Sequence, residues 1–116
     1  MNLTDEHTSV IDRLVVAYNA RDARDFAQCF TEHAVHGRLH AETQQRGREE
    51  IFQRYVETFS MYPENRTEVV HRIAFGAFVI DHERVQRSPT AASFDVVAIY
   101  TVRNGLIDRC EFVREQ

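Results

Sequence analysis

Three residues spaced two apart, His36, Arg38 and His40, occupy a stretch, 34–40, whose composition reads as extended backbone. In a strand alternate side chains share a face, so this spacing sets all three on one side. Imidazole exchanges protons near neutrality, and guanidinium holds a carboxylate or a developing oxyanion. The array therefore suits proton transfer with anion stabilisation. A further candidate base, His82, sits in a second extended stretch, 78–86. There Ile80, Arg84 and Gln86 share its face, and Asp81, Glu83 and Val85 take the other. Each histidine also has an ordinary structural reading: a solvated strand edge for His36 and His40, a hydrogen-bonded boundary residue for His82. Metal is not expected, because His36 and His40 are four apart in a strand, roughly 13 Å between Cα atoms. No Cys or carboxylate spacing completes a site. There is no Gly-rich phosphate loop, no serine nucleophile elbow and no basic-aromatic pattern for nucleic acid, so no cofactor is expected.

The elements that must position these groups follow from periodicity. Residues 4–20 read as an amphipathic helix with Val10, Ile11, Leu14, Val15 and Tyr18 in one stripe, Thr4 as its cap and Asp5 and Glu6 at its positive end. After a break at Asn19–Asp22, Asp22 caps a short second helix in which Phe26, Cys29 and Phe30 recur at helical spacing. A polar loop, Ala41–Arg46, precedes a third helix starting near Gly47 that carries Ile51, Phe52, Tyr55 and Phe59 inward. It must end before Pro63, which disfavours helix at the preceding residue. Four strand-like stretches follow, Thr67–Ala74, Phe78–Gln86, Ala92–Arg103 and Leu106–Arg114. Asn104-Gly105 is a two-residue hairpin signal, and Phe75-Gly76 and Ser88-Pro89 mark the other turns. The expected fold class is α+β, with three helices packed on one face of a mostly antiparallel sheet.

Composition narrows the function classes. With 116 residues, 43% of them apolar and eight Phe and four Tyr among them, the chain is read as one domain, 1–116, with a core of its own. The net charge of −4 argues against a general nucleic-acid binder. All 14 basic residues are Arg and none is Lys. That bias is read as GC-rich bacterial coding, since the arginines are scattered along the chain. Cys29 and Cys110 lie in apolar patterns and are expected as buried thiols. The acidic start lacks the features of a secretory leader, and no apolar run is long enough to span a membrane. A cytoplasmic protein without a membrane partner is the expectation.

Several stretches, taken in order, resemble the nuclear transport factor 2-like superfamily, in particular its SnoaL-like members. "VVAYNARDARDFAQCFTEHAV" resembles the family's opening: helix, Asn-x-x-Asp, then a short Phe-rich helix. "GREEIFQRYVETF" is similar to its third helix, and "FVIDHERV" and "YTVRNGLIDRCEFV" to a strand and the final hairpin. The resemblance covers nearly the whole chain. It implies a cone-shaped, cystatin-like α+β barrel with a strongly curved sheet, a small-molecule pocket under the helices, and pairing of two domains through their sheets. A homodimer is therefore expected, with Val70, Val79 and Val85 making the outer sheet face partly apolar.

The superfamily includes ketosteroid isomerases, cyclases, dehydratases, hydrolases and non-catalytic adaptors, so the fold does not set the reaction. Laid on the isomerase pattern, the oxyanion Tyr falls at Leu14, the base at Arg38 and the protonated acid near Val97. Those three side chains cannot do that chemistry, and classical ketosteroid isomerase activity is disfavoured. The resemblance turns position 38 inward, which brings His36 and His40 with it, and on 78–86 it turns His82 inward. The expected site thus has His82, His36 and Arg38 as catalytic groups. Tyr55, Leu14, Val97, Asp95, His40 and Phe59 complete it as ligand-contacting residues. The expected function is small-molecule binding with proton-transfer chemistry on an apolar metabolite. The alternative is a non-catalytic ligand-binding or dimerisation module.

Overall fold

Val10, Ile11, Leu14 and Ala17 recur at helical spacing along α1 (Leu3–Asn19) and all are buried, so the stripe expected from the sequence faces the core. The structure, a computed structural model, describes residues 3–42 and 44–115, with side chains from Glu6 onward. The helix begins at Leu3, so Thr4 lies within its first turn rather than capping it, and the side chain of Asp5, expected at the positive end, lies outside the described ones. Among the described residues two further helices follow, α2 (Ala23–Gln28) and α3 (Arg48–Met61), with six strands: β1 (Phe30–Arg38), β2 (Gln45–Arg46), β3 (Arg66–Phe75), β4 (Phe78–Gln86), β5 (Phe94–Arg103) and β6 (Leu106–Arg114). The strands form one sheet in the order β2-β1-β6-β5-β4-β3. All neighbours are antiparallel except β1 and β6, which run parallel. The α+β class is as expected. No helix among the described residues is long and apolar enough to cross a membrane.

The Asn-x-x-Asp stretch has a mechanical role at the end of α1. The Asn19 amide donates to the Thr67 carbonyl (3.0 Å) and accepts from its N–H (2.7 Å), closing the start of β3 onto the helix as a strand partner would. Asp22 caps α2 by accepting from the Asp25 N–H. The helix is shorter than expected: Gln28 is its last residue, Cys29 caps it, and Phe30 already belongs to β1. The reason is pairing. Phe30 lies in register with Ile107 of β6, the Ile107 N–H bonds the Cys29 carbonyl, and the Arg48 guanidinium holds the Phe30 carbonyl through two bonds. Gly47 then starts α3 at φ +87°, a region costly for residues with a Cβ. Asn104 and Gly105 turn β5 into β6 with φ of +52° and +78°, as the hairpin signal requires.

The sheet's phase departs from expectation at β4. Val79, Asp81, Glu83 and Val85 are the buried side, and Ile80, His82 and Arg84 face outward. Val79 and Val85 are therefore core residues, not part of the outer face. A register break between Val69 and His71 changes the phase of β3, so that Arg72 pairs with Asp81. The fully buried Asp81 carboxylate receives Arg72 through two bonds (2.6 and 2.9 Å), and Arg72 reaches Asp12 of α1 as well. Nothing in β4 read alone shows this partner. Its two faces, Val-Asp-Glu-Val and Phe-Ile-His-Arg, are about equally mixed.

Removing Arg72 should leave a buried charge unpaired. Arg72→Leu is expected to cost about 3–5 kcal/mol, and adding Asp81→Leu should recover most of it. Urea unfolding of the single and double variants checks this. A loss under about 1 kcal/mol for Arg72→Leu would mean that Asp81 is solvated.

Candidate functional site

Between α1, α3 and the covered face of the sheet lies a cavity of about 300 Å³. Its inner wall is set by side chains that alternate inward from neighbouring strands: Glu83 and Val85 from β4, Val96, Ala98 and Tyr100 from β5, Cys110 and Phe112 from β6. Leu14 and Tyr18 of α1, Phe26 of α2 and Tyr55 of α3 close it from the helix side. Tyr18, Phe26, Tyr55 and Phe59 pack ring against ring, which holds α1, α2 and α3 at fixed spacing above the sheet.

Glu83 is the strongest chemical feature of this wall. The Tyr100 hydroxyl donates to its Oε2 (3.1 Å), and the Thr67 hydroxyl lies 3.4 Å from its Oε1. No cation bonds it. Burial, reinforced by the nearby Asp81 charge, pushes its carboxyl up to about 7 despite those hydroxyl donors. Its neighbour Tyr100 is pushed well above the ordinary phenol range by burial and by Glu83 itself, so it keeps its proton and remains a donor.

Across the cavity, β1 and α3 present a second polar pair. His36 Nδ1 lies 2.6 Å from Gln45 Oε1, and His36 Nε2 lies 2.9 Å from the Tyr55 hydroxyl. The pattern is that of a neutral imidazole, donating to Gln45 through Nδ1 and accepting the Tyr55 proton at Nε2. Burial pulls His36 down to about 4, and the nearby Arg54 charge adds to this against the bond to Gln45. Burial likewise holds Tyr55 well above the ordinary phenol range. His36 is thus a fixed acceptor near neutrality rather than a titrating base, and Gln45 of the short strand β2 sets its tautomer.

Of the residues expected from sequence, the structure brings His36, Arg38, Tyr55 and Leu14 together at the cavity. Arg38 is exposed, at the mouth where water reaches it. The others are elsewhere. His82 and Asp95 point away from the cavity, bonded to each other (2.8 Å) on the outer sheet face beside Arg84. Bonds from His82 and Arg84 lower the Asp95 carboxyl, as in a surface ion-pair group. Val97 pairs with His82 across the sheet and shares that outer face. His40 lies beyond the end of β1, exposed in a turn at φ +62°, so strand alternation no longer governs it. Phe59 is buried among Tyr18, Phe26 and Tyr55 and serves the core. One cause explains His82, Asp95 and Val97: the inward phase of β4 and β5 is opposite to that expected. Sequence reasoning missed Glu83 and Tyr100 for the same reason. The available signal was the set Val79, Asp81, Glu83, Val85, with apolar residues at both ends of one face.

Comparison with known proteins gives a consistent picture. Residues 11–110 match the family model of the SnoaL-like domain. No curated protein matches the sequence. Among solved structures, an uncharacterised cystatin-fold protein from Novosphingobium aromaticivorans is similar at 26% identity and TM-score 0.86, over 93% of this chain and 97% of that one. A protein from Sinorhizobium meliloti, provisionally described as a polyketide cyclase, superposes at TM-score 0.77 and 18% identity, over 90% of this chain and 94% of that one. One from Kribbella flavida, provisionally described as a ketosteroid isomerase, does so at 0.82 and 18%, over 99% and 83%. At that identity the last two speak to the fold alone.

The two shifted groups should leave opposite marks on stability. Glu83 rises on folding from 4.5 to about 7, so its contribution is complete below 4.5 and is lost as pH climbs to 7. His36 falls from 6.5 to about 4, so its contribution is complete above 6.5 and is lost as pH drops to 4. Each change is worth about 3 kcal/mol. Relative to the parent, Glu83→Gln should gain by that amount as pH rises through its window, and His36→Gln as pH falls through its own. Denaturation midpoints across pH test both. Parallel curves for parent and Glu83→Gln would show that Glu83 is an ordinary solvated acid.

Proposed function

We propose that this chain, which belongs to the SnoaL-like domain family, binds an apolar small molecule in its cavity and moves a proton on it. One observation carries the reading. A carboxyl poised near neutrality, with no cationic partner among the described residues, stands on a largely apolar wall beside a phenol that orients it. A base or acid works best with a pKa near the working pH, and burial is what brings a carboxyl there. Glu83 takes the proton from an acidic C–H of the bound molecule and can return it elsewhere, as isomerases, cyclases and dehydratases require. Tyr100 positions Glu83. Arg38 lends positive charge from the mouth to the developing oxyanion, while the Tyr55 hydroxyl donates its one proton to neutral His36 and shapes the wall. His36 holds the Tyr55 ring in that wall and is a positioning residue.

Steroid isomerisation by the ketosteroid isomerase arrangement stays disfavoured. Leu14 and Arg38 line the cavity at two of its positions, and β5 turns Val96 and Ala98 inward where that arrangement needs an acid. We also infer a homodimer through the outer sheet face, where Val70, Ile73, Phe75 and Phe78 are exposed. A monomer in sedimentation at micromolar concentration would refute that part.

The test of the chemistry is exchange of acidic C–H protons in heavy water, read by mass spectrometry across a panel of apolar ketones and thioesters. Exchange should rise with pH through about 7 and fall by roughly 10²–10⁴ in Glu83→Gln. Exchange of equal rate in parent and Glu83→Gln would sink the reading.

A further inference from the structure

The arginines are sorted in space although they are scattered in sequence. Arg13, Arg72, Arg84, Arg103 and Arg109 are each held by carboxylates. Arg21 and Arg48 donate to backbone carbonyls, Arg24 lies over the Phe52 ring, and Arg46 and Arg66 stand outside the cavity lining. Four others, Arg38, Arg54, Arg87 and Arg114, line the cavity, and none of them has a carboxylate partner among the described residues. They face one acid, Glu83, across the whole lining. This is an unexpected charge balance for a chain with 18 acidic residues and a net charge of −4. Gathering like charges at one rim raises the free energy of the empty site, and an anion entering it would lower that free energy.

The geometry favours an oxyanion in particular. Arg87 and Arg114 both stack on the Phe94 ring, 5.1 and 3.9 Å from its centroid, and Arg87 also lies over Tyr62. A guanidinium over a ring keeps N–H groups at its edge for bidentate bonding, and Arg87 spends part of that edge on the Tyr18 hydroxyl of the same cavity wall. Arg38 pairs across β1 and β6 with Phe112, two residues before Arg114 on the same strand face. Arg54 stands on α3 beside Tyr55, near enough to His36 to depress its protonation. Behind this rim the cavity is compact and apolar, with Leu14, Phe26, Val96 and Ala98 on its walls.

We infer that the ligand is a compact organic anion, its apolar body inside the cavity and its carboxylate or other oxyanion on Arg87 and Arg114. The inference rests on the pocket being a small-molecule site, as proposed above, and does not depend on proton transfer by Glu83. The same fork would accept a carboxylate, a sulfonate or a phosphate ester, and the shared requirement is an oxyanion on a compact apolar body.

Two matched probes test it, 2-naphthylacetate and the neutral 2-naphthylacetamide, titrated into isotope-labelled protein at low salt and followed by NMR. The carboxylate should bind about tenfold tighter, the ratio expected for one retained charge-assisted hydrogen bond. The preference should collapse to near unity in the Arg87→Gln/Arg114→Gln variant. It should persist in Arg103→Gln, which removes an arginine already paired with Asp108. If the double variant does not fold, each single variant should lose part of the preference. Equal affinity for the two probes, or no binding of either, overturns the inference. Glu83→Gln separates the two proposals, since it should abolish exchange while keeping the carboxylate preference.

Discussion

Two carboxyl groups turned inward on one strand are the constraint on which the rest of this structure depends. A buried carboxylate is tolerated only with strong compensation, and Asp81 and Glu83 are compensated in different ways. Asp81 takes Arg72 as a bidentate partner, and that arginine ties β3 and β4 to Asp12 of α1. Glu83 has hydroxyl donors but no bonded cation among the described residues, so it meets the cost of burial by holding its proton up to about pH 7. Structural and chemical roles are thus divided between two acids two residues apart. The charge of the first helps raise the second.

The cavity inherits this division. On the sheet side stands a carboxyl that changes state near neutrality. Elsewhere on the wall stands His36 of β1, an imidazole that burial keeps neutral, with Gln45 fixing its tautomer and Tyr55 of α3 donating to it. The titrating group is therefore the carboxyl rather than the histidine, the reverse of what their solution behaviour suggests. Toward solvent the wall turns positive, because Arg38, Arg54, Arg87 and Arg114 converge from β1, α3, the segment after β4 and β6. A molecule that is apolar at one end and anionic at the other matches that polarity from the floor to the mouth.

The scaffold holding these groups is built from local polar contacts. Asn19 closes β3 onto α1 through both of its amide atoms, Asp22 starts α2, and Arg48 satisfies the Phe30 carbonyl where β1 and β6 change register. None of these residues lines the cavity. Together they fix where α1 and α3 sit, and so how far Tyr18 and Tyr55 stand from the sheet.

Much of the scaffold was legible in the sequence because it rests on short-range rules. The stripe of α1, the Asp22 cap, the Asn104-Gly105 hairpin and the run of strands from β3 to β6 all follow from spacing and backbone preference within a few residues. The inward positions of His36 and Arg38 followed from strand alternation once one position was oriented. The phase of β4 did not, because Val-Asp-Glu-Val and Phe-Ile-His-Arg are comparably apolar faces. What decides between them is Arg72, nine residues earlier and placed opposite Asp81 by a break in the pairing of β3. From that choice come the inward Glu83 and the outward His82 and Asp95. The arginine rim was hidden for a similar reason: four residues far apart along the chain become one feature only when the sheet closes under the helices. Residue types, helices and turns were determined by the sequence itself. Which acid is buried, and which arginines stand together without a carboxylate partner among the described residues, was decided by long-range packing alone.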